Sequence, residues 1–165
     1  MEMTATTPFE QICVPVTESS QPAAARRAAV GLAQDAGMDE AAVGNVALVV
    51  TELATNLVKH AKDGKLLMRR FGADGTDGIE VLSLDKGPGM SDVALLLGDG
   101  YSTAGSPGTG LGAVRRTAGA FDVYSQPGRG TAVVARVFTQ RWMDAPYSQS
   151  VGVVRQAKPG EVVCG

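Results

Sequence analysis

The chain has 165 residues, with 15 Lys and Arg against 17 Asp and Glu and a formal net charge of −2, so it lacks the cationic surface typical of non-specific nucleic-acid or anionic-membrane binding. Hydrophobic residues make up 44% and charged residues 19%, which excludes a mainly disordered chain. Glycine is the outlier, with 21 residues where an average chain of this length has about 12.

The first predicted elements are one strand and two helices. Residues 9–16 alternate apolar and other side chains at period two, which predicts a strand, and Pro15 favours an edge position. Residues 22–36 begin with proline and are rich in alanine, which indicates a helix. From Asp39 to Ala61, apolar residues recur at steps of three and four, so a longer helix is expected with one face in the core.

The second half of the chain predicts a sheet with one more helix. The expected strands are residues 65–71, 79–85, 121–126 and 131–138. The last two form a hairpin around the turn at 126–130, and residues 110–118 indicate a short helix. This order predicts an α/β fold, an α+β sandwich whose mixed, mostly antiparallel sheet has helices packed on one face.

The chain divides into a domain over residues 1–140 and a tail over 141–165. In the tail, valines flank a turn at Lys158-Pro-Gly160, as in the opening of a new β-structure. An isolated hairpin of this size is only marginally stable. The tail is therefore expected to be a linker and the start of a truncated second domain.

Cysteine usage and the N-terminus indicate a cytoplasmic compartment. Cys13 and Cys164 form no CxxC pair and offer neither a disulfide framework nor a zinc site. Residues 1–8 lack the basic and apolar regions of a signal peptide, and the apolar runs fall short of the roughly 20 residues of a membrane span. Neither secretion nor membrane insertion is expected.

Glu52 and Asn56 are the first candidate functional residues. They lie four apart on the long helix and project on the same side, opposite its apolar stripe. An ordinary solvated helix face is the alternative interpretation. Leu48 and Val49 fall on the same side, however, and apolar residues there favour a covered cleft.

Two glycine-rich segments follow. Residues 85–90 (DKGPGM) place a carboxylate at the end of a strand with two glycines beyond it, a pattern that also fits an ordinary turn. Residues 108–112 (GTGLG) lead into a helix, where free N–H groups can bind phosphate. The second segment is neither a dinucleotide fingerprint nor a Walker A loop.

The three motifs together are more specific than any one of them. Their order is Glu-x-x-x-Asn, Asp-x-Gly-x-Gly, then Gly-x-Gly-x-Gly, with Gly130 and Thr131 opening the last strand. This arrangement resembles the Bergerat-fold ATPase superfamily of gyrase, Hsp90, histidine kinases and MutL. Through residues 51–56, 85–90 and 99–103 the chain is most similar to anti-sigma-factor serine kinases of the stressosome switch-kinase type. The resemblance covers roughly residues 10–138.

The resemblance implies an ATP site with magnesium. Asp85 would accept a hydrogen bond from the adenine amino group, and Thr131 would support the same ring edge. Asn56 would bind Mg²⁺ together with the triphosphate, and Glu52 would be the catalytic general base for a serine hydroxyl or a water. The other implied ATP-binding residues are Gly87, Gly89, Met90, Ser102, Thr103, Gly108, Thr109, Gly110, Leu111 and Gly112.

The implied activity is that of an ATP-dependent serine/threonine protein kinase acting in bacterial stress or sigma-factor signalling. Its expected partner is a small antagonist protein of the STAS type, or a sigma factor or phosphatase, while whether it forms a homodimer is left open. Ser106 and Pro107 stand where many such kinases carry a basic residue, so the sequence supports ATP binding more strongly than phosphotransfer.

Two other functions compete with the kinase. The tail at 151–165 resembles the opening of a PP2C-type phosphatase domain, so the chain could instead be a non-catalytic ATP-sensing domain that gates a fused phosphatase. A histidine-kinase ATPase domain would need a phosphoacceptor histidine on an upstream helix pair, and none is recognisable. The one histidine, His60, is interpreted as a structural residue beside the nucleotide.

Overall fold

The computed structural model describes residues 11–73, 76–91 and 110–139. Within them, five strands form one sheet with three helices on one face. The strands are β1 (Gln11–Pro15), β2 (Lys65–Ala73), β3 (Thr76–Asp85), β4 (Ala120–Gln126) and β5 (Gly130–Phe138). The helices are α1 (Gln21–Asp35), α2 (Glu40–His60) and α3 (Gly110–Thr117). Every strand and helix predicted within these ranges is present.

The sheet order is β1-β2-β3-β5-β4, and every neighbouring pair is antiparallel. The predicted mixed sheet is therefore antiparallel throughout the described strands. β1 is an edge strand, as Pro15 indicated, and β4 and β5 form the expected hairpin. The long-range pairing of β3 with β5 sets Asp85 opposite Thr131 at one end of the sheet.

Helix α2 is the central helix of the fold. It begins at Glu40 and is capped by Asp39, whose Oδ1 accepts a hydrogen bond from the backbone N–H of Ala42 at 2.7 Å. Its apolar face enters the core with Val46, Val50 and Leu53 almost fully buried. By length and mean hydropathy (1.5) it also passes a test for a membrane span, a test that core helices of soluble proteins pass as well.

The two faces of the sheet differ in what covers them. The face toward the helices carries the buried side chains Leu66, Met68, Ile79, Val81, Val133, Ala135 and Val137. The opposite face, which we call the helix-free face, carries the alternate residues Cys13, Lys65, Leu67, Arg69, Phe71, Glu80, Leu82, Leu84, Asp122, Tyr124, Gln126, Ala132, Val134, Arg136 and Phe138. Much of this second face is apolar as well.

A charged triad lies at the centre of the helix-free face. Glu80 accepts hydrogen bonds from the Nε of Arg69 on one oxygen and from the Nε of Arg136 on the other, both at 2.7 Å. The Arg136 guanidinium lies 5.4 Å from the centroid of the Phe71 ring, which packs edge-on against Phe138. The triad and the two phenylalanines come from β2, β3 and β5, so their contacts link these three strands.

Glu80→Gln is expected to make the free energy of unfolding depend less on pH in the acid range. Burial raises the pKa of Glu80, but the hydrogen bonds and charges of Arg69 and Arg136 outweigh it and hold the pKa below 4.5. The stabilisation is therefore complete above pH 4.5 and is lost as the pH falls through the folded-state pKa. At pH 7 the substitution should cost roughly 1–3 kcal/mol of the free energy of unfolding.

Urea unfolding of both proteins between pH 7 and pH 3 measures this difference. The matched control is Glu18→Gln, which replaces an exposed carboxylate before α1 and should change stability by less than about 0.5 kcal/mol. A Glu80→Gln deficit that stays constant or grows below pH 4.5 would contradict the assignment.

Candidate functional site

Three polar side chains form a row at one end of the sheet. Asp85 ends β3, Thr131 is its partner on β5, and Ser125 is the partner of Thr131 on β4. The hydroxyls of Ser125 and Thr131 lie 2.9 Å apart. By strand parity all three side chains are on the helix side of the sheet, so the row borders the core where the strands end.

The Asp85 carboxylate is held in a defined orientation. Its Oδ1 accepts a hydrogen bond from the backbone N–H of Gly87 at 2.6 Å. Oδ2 has no hydrogen-bond partner within the described ranges, and the residue is half-buried. An oriented carboxylate with one unused oxygen is suited to accept a hydrogen bond from a bound amino group.

The turn after Asp85 packs tightly between α2 and the β4–β5 hairpin. A Cβ on Gly87 would lie only 2.8 Å from the backbone oxygen of His60, and the N–H of Lys86 donates to the carbonyl of Lys62 at 2.8 Å. Gly89 has φ +68°, and a Cβ there would overlap the carbonyl of Gln126. Both glycines therefore have a role inside the protein, because the absence of a side chain lets the turn lie against its neighbours.

Ser125 is a site residue that the sequence analysis missed. Its hydroxyl accepts a hydrogen bond from the N–H of Met90 at 2.8 Å and donates to the carbonyl of Gly130 at 3.1 Å. It thereby fastens the end of the turn to the hairpin. One signal in the sequence could have identified it. Phe121, Val123 and Ser125 alternate along β4 and face the helices, and Ser125 is the polar residue among them.

Glu52 and Asn56 lie on α2, about two turns and one turn before its last residue, His60. Both are half-buried, and in the described part of the chain neither side chain has a hydrogen-bond or ion-pair partner. Leu48 continues the same stripe toward the start of α2 and is 41% exposed. A carboxylate and a carboxamide thus stand side by side with their polar ends available.

Val49 is fully buried, whereas Leu48 is 41% exposed. The sequence analysis expects both residues on a covered side of α2, and in the described structure only Val49 is covered. Its burial is in keeping with the packing of α1 and α3 against α2. Leu48 stays on the open stripe of α2 with Glu52 and Asn56.

Helix α3 packs against α2, the helix that carries Glu52 and Asn56. It begins at Gly110, Leu111 packs against the core, and Val114 is fully buried while α3 contacts α2. Gly112 is buried, with the Arg116 guanidinium 3.3 Å from where its Cβ would be. The first N–H groups of an α-helix have no intrahelical partner and attract anions, so this terminus suits a phosphate.

Part of the predicted site lies outside the described residues. This applies to Ser102, Thr103, Gly108 and Thr109, and to Ser106 and Pro107. His60 is exposed, and its backbone oxygen faces Gly87, in keeping with a structural role.

The side chains of the site decide which metal ion it can hold. Among residues 11–73, 76–91 and 110–139, no group of three or more His, Cys, Asp or Glu side chains could hold one. Glu52 and Asn56 offer oxygen atoms only, which suit Mg²⁺, an ion that takes few protein ligands and completes its shell with phosphate and water. The residues present therefore fit Mg²⁺ brought in with a nucleotide.

A cavity of about 300 Å³ adjoins the polar row. It opens on the helix-free face, where Leu84, Tyr124 and Ala132 line it, and it reaches Asp85 and Thr131 at the sheet end. Its wall also includes Gln126, Arg129 and Gly130. The cavity and the polar row thus share two residues, Asp85 and Thr131, although the cavity opens on the opposite face of the sheet.

Gly130→Ala is expected to disrupt the site through the backbone. Gly130 has φ +94°, and a Cβ there would overlap the carbonyl of Asp85. The strained φ and the displacement of β3 should together lower the free energy of unfolding by roughly 3 kcal/mol. Because the displaced carbonyl belongs to Asp85, ligand affinity at the polar row should fall as well.

Gly128→Ala is the matched control. Gly128 lies in the same turn with φ +75°, but nothing is within 4 Å of its added Cβ. It should cost only the roughly 1–2 kcal/mol of the left-handed conformation. Denaturant unfolding of the two variants compares them, and equal losses would show that the contact with Asp85 is unimportant.

Comparison with known proteins gives three findings. The family model described as "Histidine kinase-like ATPase domain" matches residues 15–137, a range that includes every described candidate residue. The serine/threonine-protein kinase RsbT of Bacillus subtilis (strain 168) is 29% identical over 126 residues, which are 76% of this chain and 95% of that protein. Among solved structures, the mycobacterial sensor histidine kinase MprB matches with a TM-score of 0.48 and 16% identity, covering 79% of this chain and 97% of that one.

Proposed function

Because the chain belongs to the histidine kinase-like ATPase domain family, we propose that it is an ATP-dependent serine/threonine protein kinase of the anti-sigma-factor type. The main support comes from two sets of residues. Asp85 and Thr131 form the polar row, and the turn after Asp85 packs against α2, the helix that carries Glu52 and Asn56. The similarity to RsbT, a serine/threonine-protein kinase, supports phosphotransfer to a hydroxyl.

Asp85 and Thr131 select the adenine ring in this proposal. The unused Asp85 oxygen accepts a hydrogen bond from the exocyclic amine, and guanine is disfavoured because it presents a carbonyl oxygen at that position. Gly87, Gly89 and Met90 form the wall of the adenine pocket. Ser125 keeps that wall in place through its bonds to Met90 and Gly130.

The triphosphate lies between α2 and the N-terminus of α3. Backbone N–H groups at Gly110, Leu111 and Gly112 donate to phosphate oxygens. We assign Ser102, Thr103, Gly108 and Thr109 to the same phosphate-binding role. Mg²⁺, held by the Asn56 carboxamide and phosphate oxygens, would neutralise charge on the phosphates.

Glu52 is the general base. Its carboxylate lies one helical turn from Asn56 and has no partner in the described part of the chain, so it is available to take the proton of an attacking serine hydroxyl. The oxygen then attacks the γ-phosphorus, the bond to the β-phosphate oxygen breaks, and ADP leaves.

The proposed substrate is a small antagonist protein of the STAS type, within cytoplasmic stress or sigma-factor signalling. The alternative partner is a sigma factor or a phosphatase. The proposal leaves open whether the chain forms a homodimer.

A second function is a non-catalytic ATP sensor that gates a PP2C-type phosphatase. It is favoured by the resemblance of residues 151–165 to the opening of such a domain, with residues 1–140 as the ATP-binding unit and 141–165 as the linker and start of the phosphatase. Ser106 and Pro107 in place of a basic residue support it as well. Gene sequence beyond Gly165 distinguishes the two, because a metal-phosphatase pattern there supports the sensor.

The direct test is transfer of labelled γ-phosphate. The purified chain is incubated with ATP, Mg²⁺ and candidate STAS-type antagonists, and the labelled residue is identified by mass spectrometry. Label on an antagonist serine or threonine supports the kinase. Saturable ATP binding without label on any candidate rejects the kinase in favour of the sensor.

A further inference from the structure

The helix-free face is more apolar than an exposed sheet face should be. Antiparallel sheets that pack on one side present mainly polar residues on the other. Here the outward positions of β2, β3 and β5 include Leu67, Phe71, Leu82, Leu84, Val134 and Phe138. Leu67 is only 9% exposed, and all of the others are partly buried. The sheet therefore has the composition of a layer packed on both sides.

The charged triad supports the same interpretation. Although it lies on the outer face, the Glu80 side chain is 12% exposed and that of Arg136 is 22% exposed. Carboxylates and guanidiniums this shielded are usually paired, as they are here. The triad satisfies its own charges, so an apolar segment can pack over it without leaving an ion unpaired.

The chain supplies such a segment at the right place. Phe138, the last residue of β5, lies on the helix-free face against Phe71, and residues 140–165 follow after one residue. The face is about 20 Å long, from the position of Phe138 to that of Ala132. A chain of this length reaches about 85 Å when extended, enough to cross the face, turn and return. Its apolar residues are Trp142, Met143, Tyr147, Val151, Val153, Val154, Val162 and Val163.

We propose that residues 140–165 pack against the helix-free face, with their aromatic and valine side chains on the apolar band from Phe138 to Tyr124. The cavity lined by Leu84, Tyr124 and Ala132 receives apolar side chains at the far end of this band. Since the cavity also touches Asp85 and Thr131, the docked segment lies directly behind the polar row. The proposal does not depend on whether the domain transfers phosphate.

Trp142 is the only tryptophan of the chain, so its fluorescence reports on the segment directly. In the 165-residue protein, acrylamide should quench Trp142 several-fold less than in the same chain unfolded in urea. Leu82→Lys places a charge in the middle of the band and should restore most of that quenching. Gln34→Lys, on the exposed side of α1, is the matched control and should leave it unchanged.

A second variant avoids any damage to the sheet. Val153→Asp changes the segment alone, so the described fold should keep its thermal unfolding transition. Trypsin cleavage after Arg155 should accelerate about tenfold, because cleavage follows the population of the undocked segment. Leu82→Lys should accelerate the same cleavage by a similar factor.

Two outcomes would overturn the proposal. One is a wild-type Trp142 that is quenched as strongly as in the unfolded chain, with cleavage after Arg155 unaffected by either variant. The other is sedimentation that shows a dimer which Leu82→Lys dissociates, since the face would then bind a second copy of the chain.

Discussion

Asp85→Asn is expected to weaken ATP binding about 100-fold, as measured by isothermal titration calorimetry with Mg²⁺ present. The amide oxygen can still accept the hydrogen bond from the N–H of Gly87, which fixes the amide orientation. Its NH₂ group then faces the amino group of adenine, donor against donor. Loss of a hydrogen bond to a charged group costs about 1.5–3 kcal/mol, and the apposed donors add to it.

The control is Asp122→Asn, which replaces an exposed carboxylate on β4, outside the polar row. It should leave the ATP affinity unchanged. Asp85→Asn should also keep the wild-type unfolding transition, because the bond to Gly87 persists. If Asp85→Asn binds ATP within about threefold of wild type, Asp85 does not contact adenine.

Glu52→Gln is expected to lower phosphotransfer by about 10²–10⁴-fold while leaving the ATP affinity within about threefold of wild type. The carboxamide is nearly identical in shape but cannot take a proton from the attacking hydroxyl. The measurement is the initial rate of label transfer to the antagonist at saturating ATP, with the affinity determined separately. This split between rate and affinity separates a general base from a residue that only binds nucleotide.

Glu40→Gln is the matched control on the same helix. Glu40 is exposed in the first turn of α2, twelve residues or about 18 Å before Glu52. Its substitution should change neither rate nor affinity. An unchanged transfer rate in Glu52→Gln would assign proton removal to another group, and a parallel loss of ATP affinity would make Glu52 a binding residue.

The positions of helices and strands were predictable from the sequence because local patterns determine them. The spacing of apolar residues located α2 almost to the residue, since the predicted range 39–61 is one residue longer at each end than the helix. The strands β2 and β3 are longer than predicted, since they pair as far as Ala73 and Thr76. Gly72, Asp77 and Gly78 resemble turn residues in the sequence, and only the pairing of the two strands extends the ladder through them.

The site was predictable to the extent that its residues carry motifs. Asp85 pairs with Thr131 across the strands, and Gly87 and Gly89 lie in the turn that follows Asp85. Ser125 was missed because a lone serine in a strand has no local signature, and its role depends on the hydrogen bonds it makes to Met90 and Gly130. Likewise, the burial of Val49 depends on packing by α1 and α3, which periodicity along one helix cannot reveal.

The pairing of β3 with β5 has a consequence for folding kinetics. The β2–β3 and β4–β5 hairpins are local, whereas Asp85 meets Thr131 only after the chain between β3 and β5 closes a long loop. Long-range strand pairing is slow, so we expect this contact to form late. ATP should then have little effect on the refolding rate and should mainly slow unfolding, because it binds only chains in which the two hairpins have joined.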